Sequence, residues 1–435
     1  MALKNNTWKI NQWYDQAVAG NVSYSTNLYG LWGWGKNSSG QIAQNSTSVT
    51  AYSSPVQVGS DTTWKHIGME ASDQYGMMAI KNDGTLWMWG ANINGALGLN
   101  SAHNTGHRSS PTQIPGTTWG DSIFSGTGIS LATKTDGTLW AWGDGNGGGL
   151  GQNEPSNSDK SSPVQIPGTD WDSTRGKVVG SMAVKTNGEL WVWGANGDGN
   201  LGQNNTTQYS SPVQIPGTTW STLDKIAYAS AAVKTDGTLW VWGRNIYGIL
   251  GQNNQTAYSS PVQIPGTWKD LTGGTARNTG GFINTDNELY VMGDNEKGYL
   301  GQNDTVRYSS PVQIPGTWKD LTGGSMRDFS GFINTDNELW MIGYNHYGFL
   351  GQNETAVTAY SSPIQVPGSW DQVGFTRYST MGIKTDGTSW VWGMNEFGNL
   401  GINSRTYYSS PVQIPGTDWD QPIGTEKQMF ALLKN

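Results

Sequence analysis

The stretch Asp236-Gly-Thr-Leu-Trp-Val-Trp-Gly-Arg-Asn-Ile-Tyr-Gly-Ile-Leu-Gly-Gln252, followed by Ser259-Ser-Pro-Val-Gln263, is the unit from which the chain is built. The first aromatic residue of its Leu-Trp-x-Trp-Gly segment recurs at Trp32, Trp87, Trp140, Trp191, Trp240, Tyr290, Trp340 and Trp390. Successive copies are 49 to 55 residues apart in a chain of 435 residues. A repeat of about 50 residues predicts similar units that bury their apolar faces against one another.

Each copy has the pattern of short strands joined by tight turns. The segment Gly237–Gly243 is apolar on both alternating faces, which is typical of a strand that is covered on both sides. An apolar run ending in Asp236-Gly237 precedes it, and this dipeptide favours the type I′ turn of a β-hairpin. Pro-Val-Gln-Ile and Trp-Lys-Asp-Leu segments predict two further strands. Four strands in each unit predict the blades of an all-β propeller.

Tryptophan is a second mark of the repeat, with 23 copies in the chain. All those beyond Trp13 stand either in a Leu-Trp-x-Trp segment or a few residues after a Ser-Ser-Pro-x-Gln marker. We predict that these indoles are core side chains, because a buried aromatic ring removes about 150–250 Å² from water.

The two ends of the chain predict how the ring closes. The C-terminal segment Met429–Asn435 resembles Met77–Asn82, the strand that precedes an Asp-Gly turn and a Leu-Trp segment. The first Leu-Trp segment, Leu31–Gly35, lacks such a preceding strand. We therefore predict a closed β-propeller of eight four-stranded blades over residues 28–435, with one blade built from the N- and C-terminal strands.

The repeated aromatic-x-Trp-Gly-x-Asn-x-x-Gly-x-Leu-Gly block resembles the repeat of the regulator of chromosome condensation family, over about residues 28 to 435. The resemblance implies a β-propeller, and because the family usually has seven blades, seven is the alternative to eight. The family's namesake is a guanine-nucleotide exchange factor that binds chromatin, and other members are binding proteins. This chain lacks the family's usual His before the Ala-Leu strand, a basic tail and a wedge insertion. The resemblance therefore implies a recognition scaffold, and exchange activity is not carried over to this chain.

The composition excludes several classes of function. The net charge of −8 and the pI of about 5.0 argue against a general nucleic-acid binder. The absence of cysteine excludes disulfides, cysteine-ligated zinc and thiol nucleophiles. No stretch approaches 18 apolar residues, and the start has no apolar signal segment. We expect a protein made in the cytoplasm without a signal peptide or membrane span, which could also form part of a virus particle.

No catalytic motif stands out, and we expect that the protein is not an enzyme. The Gly143–Gly148 segment fits G-x-G-x-x-G but lacks the following helix of a dinucleotide site. His103 and His107 lie in a Gly/Asn/Ser loop that imposes no metal-binding geometry. We expect no cofactor. Calcium is the alternative, with oxygen ligands from Asp144, Asp198, or Asp294 with Glu296, although the Asn found in most of these loops favours simple Asx turns.

The loops after each Trp-Gly pair are the candidate ligand-binding surface, because they vary while the framework repeats. One such loop per blade places them all at one end of a propeller. The aromatic and basic side chains that we predict to bind a ligand there are Arg244, Tyr247, Tyr344, His346, Tyr347 and Phe397. Aromatic residues and arginine are enriched in binding hot spots. Neutral drift of exposed loops is the alternative explanation.

Residues 1–27 lie outside the repeat, and Trp8, Trp13 and Tyr14 give this segment apolar anchors. We predict that it is a strap across the ring or an anchor in a larger assembly. The predicted function is a non-enzymatic recognition or structural module, as a tail, fibre or capsid-associated surface protein of a phage or virus particle. Its partner would be a protein in an assembly or a host glycan. The alternatives are a stand-alone bacterial propeller, inhibitor-like or lectin-like, and thirdly an enzyme with a site in the central channel.

Overall fold

The computed structural model describes residues 28–68, 76–101, 105–126, 128–154, 158–174, 176–226, 229–272, 278–320, 329–354 and 358–434. These residues form 32 β-strands in eight four-stranded antiparallel sheets. Three short 3₁₀ turns, Ile93–Gly95, Asn146–Gly148 and His346–Gly348, lie in loops between strands. Within the described ranges the chain has no helix that could cross a membrane. The sheets are the blades of a propeller, so both the all-β class and the eight blades are confirmed.

The strands are numbered in chain order, beginning with β1 (Tyr29–Lys36) and β2 (Ala51–Gln57). Blades 1 to 3 consist of β3 (Trp64–Gly68), β4 (Gly76–Lys81), β5 (Leu86–Gly90) and β6 (Arg108–Ile114); β7 (Trp119–Gly126), β8 (Ile129–Lys134), β9 (Leu139–Gly143) and β10 (Lys160–Ile166); and β11 (Val178–Val179), β12 (Met182–Val184), β13 (Leu190–Gly194) and β14 (Tyr209–Ile215).

Blades 4 to 6 repeat this order, with the following strands: β15 (Trp220–Ile226), β16 (Ala229–Lys234), β17 (Leu239–Gly243) and β18 (Tyr258–Ile264); β19 (Trp268–Thr272), β20 (Thr279–Asn284), β21 (Leu289–Gly293) and β22 (Tyr308–Ile314); and β23 (Trp318–Asp320), β24 (Phe329–Asn334), β25 (Leu339–Tyr344) and β26 (Ala359–Val366).

Blade 7 contains β27 (Trp370–Phe375), β28 (Ser379–Lys384), β29 (Ser389–Gly393) and β30 (Tyr408–Ile414), and the chain ends with β31 (Trp419–Gly424) and β32 (Gln428–Lys434). Blade 8 is composite, because its strand order is β2-β1-β32-β31. The register pairs Leu31 with Leu432 and Gly33 with Phe430. A Cβ at position 33 would lie 2.5 Å from the Phe430 ring, so glycine is required there. The predicted closure of the ring by the two ends of the chain is confirmed.

The first strand of each blade lies nearest the axis, and the fourth lies outermost. Neighbouring first strands approach closely enough that a Cβ added to Gly68 of β3 would lie 2.5 Å from the Ile123 side chain of β7. The same strands are linked by side chains, as where Lys65 Nζ pairs with the Asp121 carboxylate 2.6 Å away. The inner strands therefore form a tight polar belt around the axis.

The hydrophobic core lies between the blades. Eight buried clusters are present among the described residues, and each combines side chains of two neighbouring blades. In one of them Met88 and Leu97 of blade 1 pack against Trp119 and Trp142 of blade 2. A blade has two apolar faces and no interior of its own, so it depends on both neighbours for stability.

The tryptophans divide into buried rings and half-buried rings. Trp119 is buried and makes edge-to-face contacts with Trp140 and Trp142, at centroid distances of 6.4 Å and 6.3 Å. Trp140, the first indole of its pair, is only half-buried, and the Lys134 ammonium lies 4.3 Å from its ring centroid. In blades 1 to 4 and 7 the core prediction is thus right for two of the three indoles, while the first indole is capped by a lysine in a cation–π contact.

Two kinds of hydrogen bond join each blade to the next. Buried indoles donate to loop carbonyl groups of the preceding blade, as from Trp142 Nε1 to Ala96 O over 2.8 Å. A loop asparagine N–H donates to the fourth strand of the following blade at all eight interfaces. The donor and acceptor pairs are Asn45–Ser109, Asn100–Ser161, Asn153–Ser210, Asn204–Ser259, Asn253–Ser309, Asn303–Ser361, Asn353–Ser409 and Asn403–Ser53. The last pair links blade 7 to blade 8, so these bonds run around the whole ring.

Blades 5 and 6 pack different side chains at the positions of the second indole and of the small residue on the preceding strand. Met292 and Ile342 replace the second indole, and Phe282 and Phe332 stand where other blades have a small residue. The Phe282 ring contacts Trp268 at 5.8 Å in place of the missing indole. A large side chain on one strand thus compensates for the smaller one on its neighbour.

Substitutions in blade 5 test whether Phe282 compensates for the absence of the second indole. Met292→Trp alone should destabilise the protein by about 1–3 kcal/mol, because Phe282 already occupies the space that an indole needs. Phe282→Ala alone should destabilise it by about 3–5 kcal/mol. The double variant restores the Ala232–Trp242 arrangement of blade 4 and should come within about 1 kcal/mol of the wild type in denaturant unfolding. Additive losses in the double variant would contradict the compensation.

Candidate functional site

The variable loops lie at one end of the ring, and the Asp-Gly turns lie at the other. Each loop leaves the third strand of its blade and packs on the fourth strand of the next blade. A buried asparagine braces it from inside: Asn245 Oδ1 accepts from the Leu250 N–H over 2.9 Å, and its Nδ2 donates to Thr256 O. The asparagine of the Trp-Gly-x-Asn motif is therefore a structural brace, which frees the surrounding positions to vary.

Two of the four carboxylates considered as calcium ligands, Asp294 and Asp144, have protein partners. Arg307 Nε donates to Asp294 Oδ1 over 3.0 Å, and Asp144 Oδ1 accepts from the Asn146 N–H. In the part of the chain that the structure describes, no group of three or more His, Asp or Glu side chains could hold a metal ion.

The structure divides the six predicted ligand-binding residues into three groups on this end of the ring. Arg244 and Tyr247 belong to the blade 4 loop, and Phe397 belongs to the blade 7 loop. Tyr344, His346 and Tyr347 come together on blade 6, where the imidazole of His346 contacts both tyrosine rings. The binding role of all six residues stays a prediction.

We name the side chains Tyr344, His346, Tyr347 and Tyr407 the aromatic corner. The rings of His346 and Tyr347 are stacked, with centroids 3.7 Å apart and planes 17° apart. The Tyr407 ring meets Tyr347 edge to face, at 5.3 Å and 80°. Tyr347 and Tyr407 are 36% and 40% exposed, and the buried Phe349 lies 6.1 Å from Tyr347. Two exposed rings are thus held at right angles above a buried aromatic floor.

Tyr407 was missed by the sequence reasoning because it belongs to the next blade. It lies two residues before Ser409, whose carbonyl group accepts from Asn353 of the blade 6 loop, and this bond fixes the offset between the blades. The doubled Tyr407-Tyr408, where other copies have one tyrosine or none, was the available signal. Burial, followed by the negative charge of Glu396 and by Tyr347, raises the pKa of Tyr407.

Tyr347 has an unusual backbone conformation, with φ at +61°. The corresponding residues in the other two 3₁₀ turns are Asn94 and Gly147, which are the residue types that tolerate positive φ. A bulky residue in this region is an outlier, with a strain of about 1–3 kcal/mol. At this φ the Tyr347 ring lies beside Tyr407. If stability alone decided the residue at position 347, asparagine or glycine would be favoured.

The two other predicted aromatic positions are covered by cations of the chain itself. The Arg307 guanidinium lies 5.0 Å from the Tyr247 ring centroid, and the Lys427 ammonium lies 5.4 Å from that of Phe397. The hydrogen bond with Asp294, and then the Asp294 charge, raise the pKa of Arg307. These two rings are each covered by a cation, whereas the ring contacts of Tyr347 are with His346, Phe349 and Tyr407.

A shallow cleft of about 420 Å³ opens at the opposite end of the ring, between blades 1 and 2. Its walls include Lys81, Asp83, Thr118 and Thr174, together with the paired Lys65. The Lys81 ammonium is bonded to Asp61, so both lysines here have carboxylate partners. This cleft was not predicted from the sequence, because it depends on how neighbouring turns approach.

Several predicted residues lie outside the described ranges. They are the anchors Trp8, Trp13 and Tyr14, with the whole segment 1–27, and His103 of the histidine pair. The anchor role stays a prediction.

Comparison with known proteins identifies the family whose repeat this chain resembles. The family described as "Regulator of chromosome condensation (RCC1) repeat" matches residues 83–132, 136–179, 187–232 and 236–273. The chain is 29% identical to the Regulator of chromosome condensation of Xenopus laevis over 138 residues, which are 32% of this chain and 31% of that protein. It is 32% identical over 135 residues to the mitochondrial RCC1 domain-containing protein RUG3 of Arabidopsis thaliana, 29% of this chain and 28% of that protein. The chain thus spans less than a third of the length of these curated relatives.

Solved structures match nearly the whole chain. Human WBSCR16 superimposes with a TM-score of 0.64 and 15% identity, covering 94% of this chain and 99% of that one. Prp20p of Saccharomyces cerevisiae gives a TM-score of 0.65 and 14% identity, covering 97% and 95%. Identities this low establish the fold alone, which is a β-propeller built from tandem repeats. The fold is thus a β-propeller, and its repeats between residues 83 and 273 are RCC1-like.

The strain at Tyr347 makes a testable prediction. Tyr347→Gly should be more stable than Tyr347→Ala by about 1 kcal/mol, because both lose the ring but only glycine accepts a positive φ freely. Tyr247 does not have a positive φ, so the order should reverse there, with Tyr247→Ala more stable than Tyr247→Gly by about 0.4–1 kcal/mol. Thermal unfolding of the four variants measures both differences. The same order at both sites would contradict the strain.

Proposed function

We propose that the chain is a non-enzymatic recognition module whose protein partner docks on the aromatic corner. The observation that carries this proposal is the pair of exposed rings at right angles, Tyr347 and Tyr407, with Tyr347 held at a positive φ. Strained residues concentrate at functional sites, where the surrounding structure holds them in place. Tyrosine is also among the residues that dominate binding energy at protein interfaces.

The packing of the corner supports a rigid binding surface. His346 stacks against one ring, Phe349 packs nearby from the buried side, and the Asn353–Ser409 bond fixes the neighbouring blade. A partner that contacts these rings would immobilise few additional side-chain torsions. Preorganisation of this kind increases affinity by reducing the entropy lost on binding.

Structural relatives favour a protein over a glycan as the partner. Work on Prp20p describes its binding properties to Gsp1p and histones, and a further structure has Kap60 bound to yeast RCC1 (Prp20). We transfer from them only the general use of such a propeller for binding proteins. The identity of the partner here depends on the loops, which differ even between blades of one chain.

For the biological setting we propose the surface of a phage or virus particle, as a tail, fibre or capsid-associated protein. The 61 glycines, the absence of cysteine and the tandem β-repeats support this setting by analogy of composition. A stand-alone bacterial propeller that binds a protein or a glycan is the alternative. The proposed corner consists of side-chain rings and needs no cofactor.

The test is a binding comparison on a panel of bacterial cells, purified envelope proteins and envelope glycans. The full chain and the variant His346→Ala/Tyr347→Gly/Tyr407→Ala would be labelled and compared. We expect the full chain to bind a protein on the panel, and the variant to bind it at least about 30-fold more weakly, as for loss of a hot spot.

The matched control is Asp198→Ala, at the position of the blade 3 loop that corresponds to Tyr347. It should bind as the wild type does, and circular dichroism should show that all three proteins are folded. Protein binding that survives in the triple variant would place the site elsewhere on the ring. Binding of glycans alone, lost in the triple variant, would overturn the choice of partner.

A further inference from the structure

The interfaces between blades 4 and 5 and between blades 6 and 7 are built alike. Asn253 N–H donates to Ser309 O and Asn353 N–H donates to Ser409 O, both over 2.7 Å. Gly248 and Gly348 abut these serines so closely that a Cβ on either would overlap them. Tyr247 therefore corresponds to Tyr347, and the residues two positions before the serines, Arg307 and Tyr407, also correspond.

At the first interface this arrangement contains an arginine. The Arg307 guanidinium lies over the Tyr247 ring at 5.0 Å, and its Nε donates to Asp294 over 3.0 Å. Glu296 of the same loop is also close enough for its charge to raise the pKa of Arg307. A tyrosine ring and carboxylates around a guanidinium combine cation–π attraction with charge-assisted hydrogen bonding.

At the second interface position 407 holds a tyrosine and Met394 stands in place of Asp294, so Glu396 is the carboxylate that the two loops share. Glu396 corresponds to Glu296 and is exposed; after burial, its charge is the next cause that raises the pKa of Tyr407. Among the described residues, the ring contacts of Tyr347 are all aromatic: His346, Phe349 and Tyr407. The corner therefore keeps an exposed tyrosine and a carboxylate without an arginine between them.

We propose that the aromatic corner binds an arginine side chain of the partner protein, with Tyr347 and Tyr407 against the guanidinium and Glu396 supplying the negative charge. This inference rests on the proposed function and specifies the chemistry that the corner recognises. Arginine suits the site better than lysine, because its planar guanidinium stacks on a ring while its N–H groups reach a carboxylate. Arg307 on Tyr247 is the example of this contact within the chain.

The probe is N-acetyl-arginine methyl ester, titrated into the full chain while the tyrosine ring signals are followed by NMR. N-acetyl-citrulline methyl ester, which is neutral and nearly the same shape, is the matched ligand control. We expect the arginine ester to bind in the millimolar range and the citrulline ester at least about fivefold more weakly, as loss of a cation–π contact predicts. Equal binding of the two esters, or no binding of the arginine ester at about 20 mM, would overturn the inference.

Two substitutions test the correspondence between the interfaces. Tyr407→Arg should place an internal arginine over Tyr347 and abolish binding of the ester. Arg307→Ala should expose Tyr247 beside Asp294 and create a second binding site for the ester. Unchanged binding in either variant would overturn the inference, and thermal unfolding would confirm that both variants are folded.

Two further variants identify the charge that acts. Glu396→Gln should weaken binding of the arginine ester several-fold. Arg405→Ala, two residues before Tyr407, should leave that binding unchanged or strengthen it, because it removes an exposed like charge from the same loop. Weaker binding in Arg405→Ala would point to the ester carbonyl groups as the recognised part and overturn the inference.

The outcome is separable from that of the proposed function. If the panel protein binds the corner but the arginine ester does not, the proposed docking site is supported and the proposed binding of arginine is wrong. If the ester binds the corner while the triple variant still binds the panel protein, the proposed docking site is wrong and the proposed arginine site is supported.

Discussion

The constraint on which the structure depends is that no blade can bury its apolar faces alone. The buried indoles and the aliphatic residues that face them belong to different blades, so each of the eight clusters exists only as an interface. The loop asparagine bond, such as Asn100 to Ser161, fixes the offset between neighbours. Because every interface needs a partner on both sides, the ring must close, and the pairing of β1 with β32 closes it.

This constraint explains which positions of the repeat are free to vary. The indoles, the bracing asparagine and the glycine that abuts the next blade each contact the neighbouring blade or hold the loop that does, so they recur. The positions between them, such as those of Tyr247 and Tyr347, hold different residues from blade to blade. Variation can also be compensated within the framework, as Phe282 with Met292 demonstrates. Recognition can therefore change from blade to blade without changing the ring.

Much of the fold could be predicted because the same strand and turn patterns occur eight times in the chain. The spacing gave the blades, and the similarity of Met429–Asn435 to Met77–Asn82 gave the closure. The site was predicted only in part, since His346 and Tyr347 are neighbours in sequence whereas Tyr407 is 60 residues beyond Tyr347. Their contact depends on the offset between a loop and the next blade, which no periodicity encodes. The lysine over the half-buried indoles was missed for a different reason, because the strand register within one hairpin brings Lys134 to Trp140.

The eight interfaces share the same framework contacts. A position that differs at one of them can therefore be compared with the corresponding positions at the others. Asn94 and Gly147 show that the 3₁₀ turn needs a residue that tolerates positive φ, and Tyr347 departs from that requirement. Arg307 shows what the space beside such a tyrosine accommodates, and Tyr407 departs from that pattern. Both departures occur at one interface and leave two aromatic rings exposed beside Glu396. The asparagine bond and the close glycine contact recur at these interfaces and do not account for this combination, whereas the proposed recognition of a cationic side chain would account for both departures.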